Sequence, residues 1–164
     1  VSNATTEDMD EYRAVGPIDC DQEEYNIIDR DLEEENLPYC DENDIAVLAY
    51  SPLARGMLTG KMTPDREFAE GDQRRESERF SVENRRRVQE MLHELKPIAQ
   101  DYDLTLAQLA VAWALEQPGM THALVGARNP QQARENAQAG AVELNEADLD
   151  RMDNIIDRHR PDII

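Results

Sequence analysis

The chain has 164 residues, of which 40% are hydrophobic and 32% charged, and its 36 acidic and 17 basic residues give a formal net charge of −19. This length suits one globular domain with a core of its own, and no apolar run approaches the ~18 residues of a membrane-spanning helix. The negative charge argues against a nucleic-acid-binding protein, which needs a basic surface, so we expect neither a nucleic-acid nor a membrane partner.

Arginine carries almost all of the positive charge, because Lys61 and Lys96 are the only lysines. An acidic surface with few lysines is typical of a high-salt cytoplasm, where salt screens the repulsion between carboxylates. We therefore interpret the composition as halophilic and haloarchaeal-like. A cation-binding acidic tract is the alternative, although the acids follow no ligand spacing. The arginines at 74–75 and 85–87 lie among glutamates, and we interpret them as ion-paired surface residues.

The cysteines and histidines form no recognisable metal or catalytic pattern. Cys20 and Cys40 have no metal-binding spacing, and we interpret them as structural thiols in a reducing cytoplasm. A redox pair is the minority alternative, because disulfides are rare in cytosolic proteins. His93, His122 and His159 have no cysteine or carboxylate partner at catalytic spacing, so we assign them structural or surface roles. The sequence therefore predicts no metal site.

Hydrophobic periodicity and capping residues predict alternating helices and strands in the first half of the chain. In order, these elements are a helix from Thr5 or Thr6 to about Ala14, a weak strand from Ile18, a short helix at 32–40 and a strand at 45–50. The last of them is nearly all apolar, so we expect a parallel strand that is covered on both faces. The polar stretch 51–81 is predicted to be a long functional loop.

The second half continues the alternation with stronger signals. Its predicted elements are a helix at 82–102, a helix behind a capping box of Thr105 and Gln108, a short buried strand at 122–127, a helix from the Asn129 cap to Gly140 and a final helix at 146–156. No hairpin dipeptide interrupts this order. The pattern therefore predicts an α/β protein with parallel strands.

The predicted strands are too few for a closed domain. Three strands and a remnant at 1–3 cannot form a closed barrel, which needs about eight strands and ~250 residues. Alone, they would expose two sheet edges, which promotes aggregation. We therefore expect the chain to be the C-terminal part of a larger barrel.

Four blocks of sequence carry a specific resemblance. They are "VSN" at 1–3, "DQEEYNIIDRD" at 21–31, "LAYSPLARGMLTGK" at 48–61 and "VGARNPQQARENAQA" at 125–139. Together with the segment 106–129 they resemble the aldo/keto reductases, NADPH-dependent (β/α)8 barrels, in the order and roughly the spacing of that family. The resemblance covers essentially the whole chain, and the combination is specific although no single block is. It implies that residues 1–164 are the C-terminal portion of a (β/α)8 TIM barrel, from the end of its strand 5 through strand 8 plus the C-terminal helices.

The resemblance implies a nicotinamide site at the carboxyl ends of the strands, where barrel enzymes bind their ligands. Ser2, Asn3 and Gln22 would hydrogen-bond the nicotinamide carboxamide, since amides both donate and accept. Tyr50 would stack on the nicotinamide ring. The pyrophosphate would be held by backbone amides and a hydroxyl of the following turn, namely Ser51, Leu53, Arg55 and Gly56, with Lys61 nearby.

A second block matches the part of the family that holds the adenosine end of the cofactor. It contains Gly126, Arg128, Gln132, Glu135 and Asn136. Arg128 is the natural partner of a 2′-phosphate, which favours NADPH over NADH. One well-studied branch of the family has lysine and arginine in place of Gly126 and Gln132, so this preference depends mainly on Arg128.

The function implied by the resemblance is reduction of an aldehyde or ketone by hydride transfer from NADPH. The tyrosine, lysine, aspartate and histidine of the family's catalytic tetrad belong upstream of residue 1, so we assign no catalytic residue and expect the chain alone to be inactive. Two alternatives stay open. One is a non-catalytic regulatory or interaction subunit, like the reductase-like β subunits of potassium channels. The other is a half-barrel that dimerises to cover its edges and binds no cofactor.

Overall fold

A computed structural model describes residues 1–160 and 163 of the chain. Three strands form one parallel sheet in chain order: β1 (Cys20–Glu24), β2 (Ala46–Tyr50) and β3 (His122–Ala123). The α-helices of this part of the chain are α1 (Thr6–Arg13), α2 (Asn36–Glu42), α3 (Val82–Asp101), α4 (Leu106–Leu115), α5 (Pro130–Ala139) and α6 (Glu146–His159). The predicted α/β class with parallel strands is confirmed.

The register of the sheet brings the ends of several segments to one edge. Gln22 lies opposite Leu48, and Leu48 lies opposite His122. On the other side of β1, Ser2 forms an isolated parallel bridge with Gln22, so the chain start occupies a fourth strand position. Because all these pairings are parallel, the residues that follow each strand emerge at the same edge.

One face of the sheet is buried and the other is only half covered. In β2 the buried residues are Val47 and Ala49, while Leu48 and Tyr50 are half-buried. The prediction that 45–50 is covered on both faces is therefore wrong for one face. An apolar run does not by itself show that both faces of a strand are buried, and in the described part of the chain only one face of β2 is fully packed.

The predicted buried strand at 122–127 is wrong in both length and burial. Regular pairing ends after His122–Ala123, with one further hydrogen bond from Leu124 N to Ala49 O at 2.8 Å. Residues 126–130 are exposed. The physical reason is that β3 pairs only with β2 among the described strands, so nothing on its other side extends the ladder or covers it.

The segment 51–81 has more structure than a free loop. It contains 3-10 turns at Ala54–Thr59, Gln73–Arg75 and Glu78–Phe80. Arg85, only 5% exposed, donates to the carbonyls of Thr63 and Arg66 at 2.8 Å each and lies against the ring of Phe68. The interpretation of Arg85 as a surface residue is therefore wrong, because its guanidinium pins this segment to α3.

The core lies between the sheet and the helices. Five residues of α3 with helical spacing are buried as predicted: Val88, Met91, Leu92, Leu95 and Ile98. In α4, Trp113 is fully buried and stacks on Tyr25, with ring centroids 5.8 Å apart, while Arg30 covers the indole. This stack supports the loop that leaves β1. No helix of residues 1–160 is both long and apolar enough to cross a membrane.

Candidate functional site

A chain of hydrogen bonds links the strand ends at the carboxyl edge. Tyr50 Oη donates to Asn3 Oδ1 at 2.7 Å, and Asn3 Nδ2 donates to Ser2 Oγ at 3.2 Å. Ser2 Oγ in turn donates to the carbonyl of Gln22 at 2.9 Å. The side-chain amide of Gln22 has no hydrogen-bond partner among the described residues, so it can donate and accept toward a ligand. Four of the predicted site residues are thus brought together.

The phenol of Tyr50 is held in its neutral form. Desolvation raises its pKa, and the carboxylates of Glu24 and Glu23 raise it further. The hydroxyl therefore keeps the proton that it donates to Asn3. The result is a neutral, half-buried aromatic ring with a fixed hydroxyl at the edge of the sheet, which suits stacking on a flat ligand.

The turn that follows β2 has an unusual backbone. The φ angles of Ser51, Ala54 and Arg55 are 54°, 46° and 53°, a left-handed region that costs non-glycine residues about 1–2 kcal/mol each, and Gly56 follows at 101°. Within residues 1–160, the N–H groups of Ser51 and Leu53 and the hydroxyl of Ser51 have no acceptor or donor partner. Free N–H groups in such a turn form a concavity that suits an anion.

The two cations predicted near this turn differ in their surroundings. Arg55 donates to Gln73 Oε1 at 3.3 Å and lies over the ring of Phe80, so its guanidinium faces the segment 60–81. Lys61 is exposed, and its ammonium group has no ion-pair partner in the described part of the chain. Lys61 is therefore the cation of this pair that is available to a ligand.

The second predicted block surrounds the start of α5. Asn136 Nδ2 donates to Gly126 O at 3.2 Å, and Gln132 Oε1 accepts from the N–H of Arg128 at 2.8 Å. Glu135 accepts a hydrogen bond from the side chain of Gln131. Asn136 and Gln132 therefore shape the loop itself, whereas Glu135 is paired within α5. The exposed guanidinium of Arg128 makes no hydrogen bond or ion pair with any described residue, which leaves it free for an anion.

The two blocks emerge from neighbouring strands. Leu124, just after β3, donates to the carbonyl of Ala49, the residue before Tyr50. The loop 124–129 therefore starts beside the turn 51–56 and runs to α5. Asn129 caps that helix by accepting from the N–H of Gln132 at 2.9 Å, so its role is the predicted structural one.

Sequence reasoning missed Asn26, which is fully buried at this edge. Its side chain bonds to the carbonyl of Ser51 and to the backbone of the loop after β1. The available signal was a lone amide between Tyr25 and the pair Ile27–Ile28, which are all buried. A polar residue inside such a run needs internal hydrogen bonds, and these bonds connect two loops of the site.

A buried carboxyl pair on β1 was also missed. Asp21 and Glu23 are 0% and 6% exposed, and Glu23 accepts a hydrogen bond from the N–H of Ala4 at 2.8 Å, next to Asn3. Burial and then the neighbouring Asp21 carboxylate raise the pKa of Glu23 to about 7. Burial likewise raises the pKa of the Cys40 thiol, to about 11, so α2 offers the pair no ionised thiolate. The support of the 2–4 segment is therefore sensitive to pH.

Metal-binding side chains are not clustered in the described part of the chain. No group of three or more histidine, cysteine, aspartate or glutamate residues within it could hold a metal ion. Cys20 and Cys40 are both free thiols, the second of them buried.

The chain is similar in sequence to a known protein family and to named proteins of two organisms. The family model described as aldo/keto reductase family matches residues 1–157. An NADH-specific methylglyoxal reductase of Escherichia coli is 38% identical over 151 residues, which are 92% of this chain and 46% of that protein. A probable voltage-gated potassium channel subunit beta of Arabidopsis thaliana is 36% identical over 154 residues, or 90% of this chain and 46% of that protein.

A solved structure extends the likeness to the fold. The glycerol dehydrogenase of Gluconobacter oxydans superposes with a TM-score of 0.91 and 34% sequence identity, over 100% of this chain and 50% of that one. The α/β fold described above is therefore of the TIM-barrel type. The chain spans about half the length of the curated relatives that it matches.

Proposed function

The chain belongs to the aldo/keto reductase family, and we propose that it is the C-terminal half of a (β/α)8 barrel that reduces an aldehyde or ketone with NADPH. The observation that carries this proposal is the set of unpaired donors around Tyr50, formed by the Gln22 amide and the N–H groups of Ser51 and Leu53. The relatives are about twice as long as this chain, and the match covers only about half of each, which supports the half-barrel.

The donor set fits a nicotinamide cofactor. The free amide of Gln22 can donate to and accept from a carboxamide, and the ring of Tyr50 offers a flat neutral face. The unpaired N–H groups of the turn 51–56, with Lys61 nearby in sequence, suit a pyrophosphate. The free guanidinium of Arg128 suits a phosphate on the adenosine. These groups bind and orient the cofactor, which when bound supplies the hydride that a carbonyl substrate accepts.

The proton donor of such a reaction is proposed to lie outside this chain. Tyr25 is buried, stacks on Trp113 and donates to Glu33 at 2.5 Å, and its pKa is raised above the ordinary value first by burial and then by that carboxylate. Tyr50 already donates its proton to Asn3. Since neither phenol is arranged to give a proton to a substrate, the chain alone is expected to bind cofactor without turnover.

Arg128 supports NADPH over NADH, although the Escherichia coli relative is named as NADH-specific. An arginine without an ion-pair partner among the described residues, in a chain of net charge −19, is available to a 2′-phosphate. Titration calorimetry in molar KCl should show NADPH binding that Arg128→Ala weakens about 10- to 100-fold, the effect of one charge-assisted hydrogen bond. NADH binding should not change.

The matched control is Arg134→Ala, which removes another exposed arginine from α5. It should leave the affinity for both cofactors as it is. Equal NADPH affinity in the Arg128→Ala and wild-type chains would contradict the assignment of the 2′-phosphate site. A folded chain that binds neither cofactor would contradict a preformed cofactor site.

A regulatory or interaction subunit is the second candidate, favoured by the match to the plant protein named as a potassium channel β subunit. A chimera can distinguish the two, with this chain replacing the matching half of the glycerol dehydrogenase. NADPH oxidation by a small aldehyde supports the reductase. Cofactor binding by the folded chimera without any turnover favours the regulatory subunit.

A further inference from the structure

We propose that Asn26 is a positioning residue for cofactor binding, which acts by holding the turn 51–56 in its ligand-binding conformation. Its side-chain amide fixes the carbonyl of Ser51, and with it the direction of the unpaired N–H groups of Ser51 and Leu53. The inference rests on the proposed function, because its consequence is tighter binding of the cofactor's pyrophosphate by the turn. Asn26 itself does not touch the ligand.

The side chain of Asn26 has no freedom to turn. It is 0% exposed, and its Oδ1 accepts from the N–H groups of Ile28 and Asp29 at 2.9 and 3.1 Å. Its Nδ2 donates to Asp29 Oδ2 at 2.8 Å and to Ser51 O at 3.1 Å. These four bonds use both donors and both lone pairs of the amide. A fully bonded amide sealed from water is a rigid anchor.

The anchored carbonyl belongs to the most constrained peptide of the turn. Ser51 O accepts from Asn26 on one side and from the N–H of Ala54, at 2.8 Å, on the other. The next residue is the buried Pro52, whose ring fixes its own φ angle. Ser51 adopts φ 54°, which a serine keeps only when its surroundings impose it. The bond from Asn26 is one of those constraints, and the two free N–H groups flank the peptide that it fixes.

The same side chain connects the turn to the segment 60–81. Asp29 accepts from Asn26 through Oδ2, while its Oδ1 pairs with the guanidinium of Arg79. Arg79 also lies 4.0 Å from Glu24 Oε1 at the end of β1. The loop after β1, the turn after β2 and the 3-10 turn at Glu78–Phe80 therefore share one network. Loss of the Asn26 amide removes the hydrogen bond by which this network reaches the carbonyl of Ser51.

The test compares two ligands that differ in whether they reach the turn. NADP⁺ carries the pyrophosphate, whereas adenosine 2′-monophosphate carries only the adenosine and the 2′-phosphate. In Asn26→Ser the hydroxyl can still bond to the nearby N–H groups but is too short to reach Ser51 O. Titration calorimetry in molar KCl should show NADP⁺ affinity reduced by at least about 10-fold, as for one lost buried hydrogen bond, with adenosine 2′-monophosphate affinity unchanged.

Asn43→Ser is the matched control. Asn43 Nδ2 donates to the carbonyl of Tyr39 at 2.7 Å at the end of α2, so this variant removes the same type of bond away from the site. It should lower the free energy of unfolding without changing either affinity. If Asn26→Ser weakens both ligands equally, or neither, the inference is wrong, because a general loss of structure does not distinguish the ligands.

Amide hydrogen exchange provides a readout that needs no ligand. In Asn26→Ser the N–H of Ala54, which bonds to Ser51 O, should exchange at least about 10-fold faster than in Asn43→Ser. Equal exchange in the two variants would overturn the positioning role of Asn26, even in a chain that binds cofactor. If the wild-type chain binds neither ligand and Asn26→Ser still speeds exchange at Ala54, the proposed function is contradicted. The anchoring role of Asn26 is then supported all the same.

Discussion

The two ends of the candidate site are stabilised in different ways. The end at Tyr50 is supported from below by buried groups, the Asn26 amide and the Glu23 carboxyl, which bond to the backbone of adjoining loops. The end at 126–136 is shaped by hydrogen bonds at the surface, such as that from Asn136 to Gly126. Surface hydrogen bonds compete with water and contribute little, whereas buried ones are costly to remove. The first end is thus preformed by the core, and the second end is adjustable.

Replacement of Trp113 should have the largest effect on the free energy of unfolding. It should also remove the core support that distinguishes the first end from the second. The indole is fully buried between Tyr25 and Arg30, beneath the loop that leaves β1. Trp113→Ala should cost about 3–5 kcal/mol of unfolding free energy, a large part of a typical domain's stability. Urea denaturation followed by circular dichroism measures it. A loss below about 1 kcal/mol would show that the core does not support the first end.

The carboxyl pair on β1, which supports the first end, should make the folded chain less stable as the pH rises. The pKa of Glu23 is raised from 4.5 to about 7, so between these values the folded chain binds more protons than the unfolded chain. The free energy of unfolding therefore falls through this window, by at most about 3 kcal/mol from this group. Urea denaturation at pH 5 and pH 8 in constant molar KCl measures the fall.

Asp21→Asn is the informative variant for this pH effect. It removes the neighbouring carboxylate, so the pKa of Glu23 should move back toward 4.5 and the loss of stability between pH 5 and pH 8 should shrink. Asp19→Asn, which changes an exposed acid just before β1, should keep the full pH effect. The same pH dependence in both variants would mean that the buried pair is not its source.

Arg85→Ala should loosen the segment 60–81. The buried guanidinium donates to two backbone carbonyls, so its loss should cost about 2 kcal/mol and speed proteolysis within that segment. Arg86→Ala, the adjacent exposed residue paired with Glu83, should change stability by less than about 0.5 kcal/mol. Similar proteolysis rates in both variants would refute the pinning role of Arg85.

Asn136→Ala should have the smallest effect on folding. Its hydrogen bond to Gly126 lies at the surface, so we expect a loss of about 0.5 kcal/mol or less. Thermal unfolding should show almost no change, while amide exchange in the loop 126–129 should become faster. A loss comparable with that of Arg85→Ala would show that the second end is also built into the core.

Local sequence signals predicted much of the fold. Thr5, Thr105 and Asn129 cap their helices as expected, because a capping residue and the first helical turn lie within a few residues of each other. The apolar spacing of α3 likewise identified its buried face. The length of β3 was predicted wrongly, since the extent of a strand depends on its neighbours in space.

The candidate site was predictable only where a motif names the residue. The blocks around Tyr50 and Arg128 were found by resemblance, and the structure brings Ser2, Asn3, Gln22 and Tyr50 together. The supporting residues were missed, because their roles arise from contacts between distant segments. Asn26 reaches a carbonyl 25 residues away, and Arg85 reaches one 22 residues away. No local pattern records such contacts.

The most direct test of the account is amide hydrogen exchange of the wild-type chain in molar KCl, with and without saturating NADPH. The account predicts slow exchange of the hydrogen-bonded Ala54 N–H even without cofactor, and NADPH-dependent protection of the unpaired Ser51 and Leu53 N–H groups as well as of the loop 126–129. Protection confined to one end, or none at all, would contradict the claim that both ends hold one cofactor.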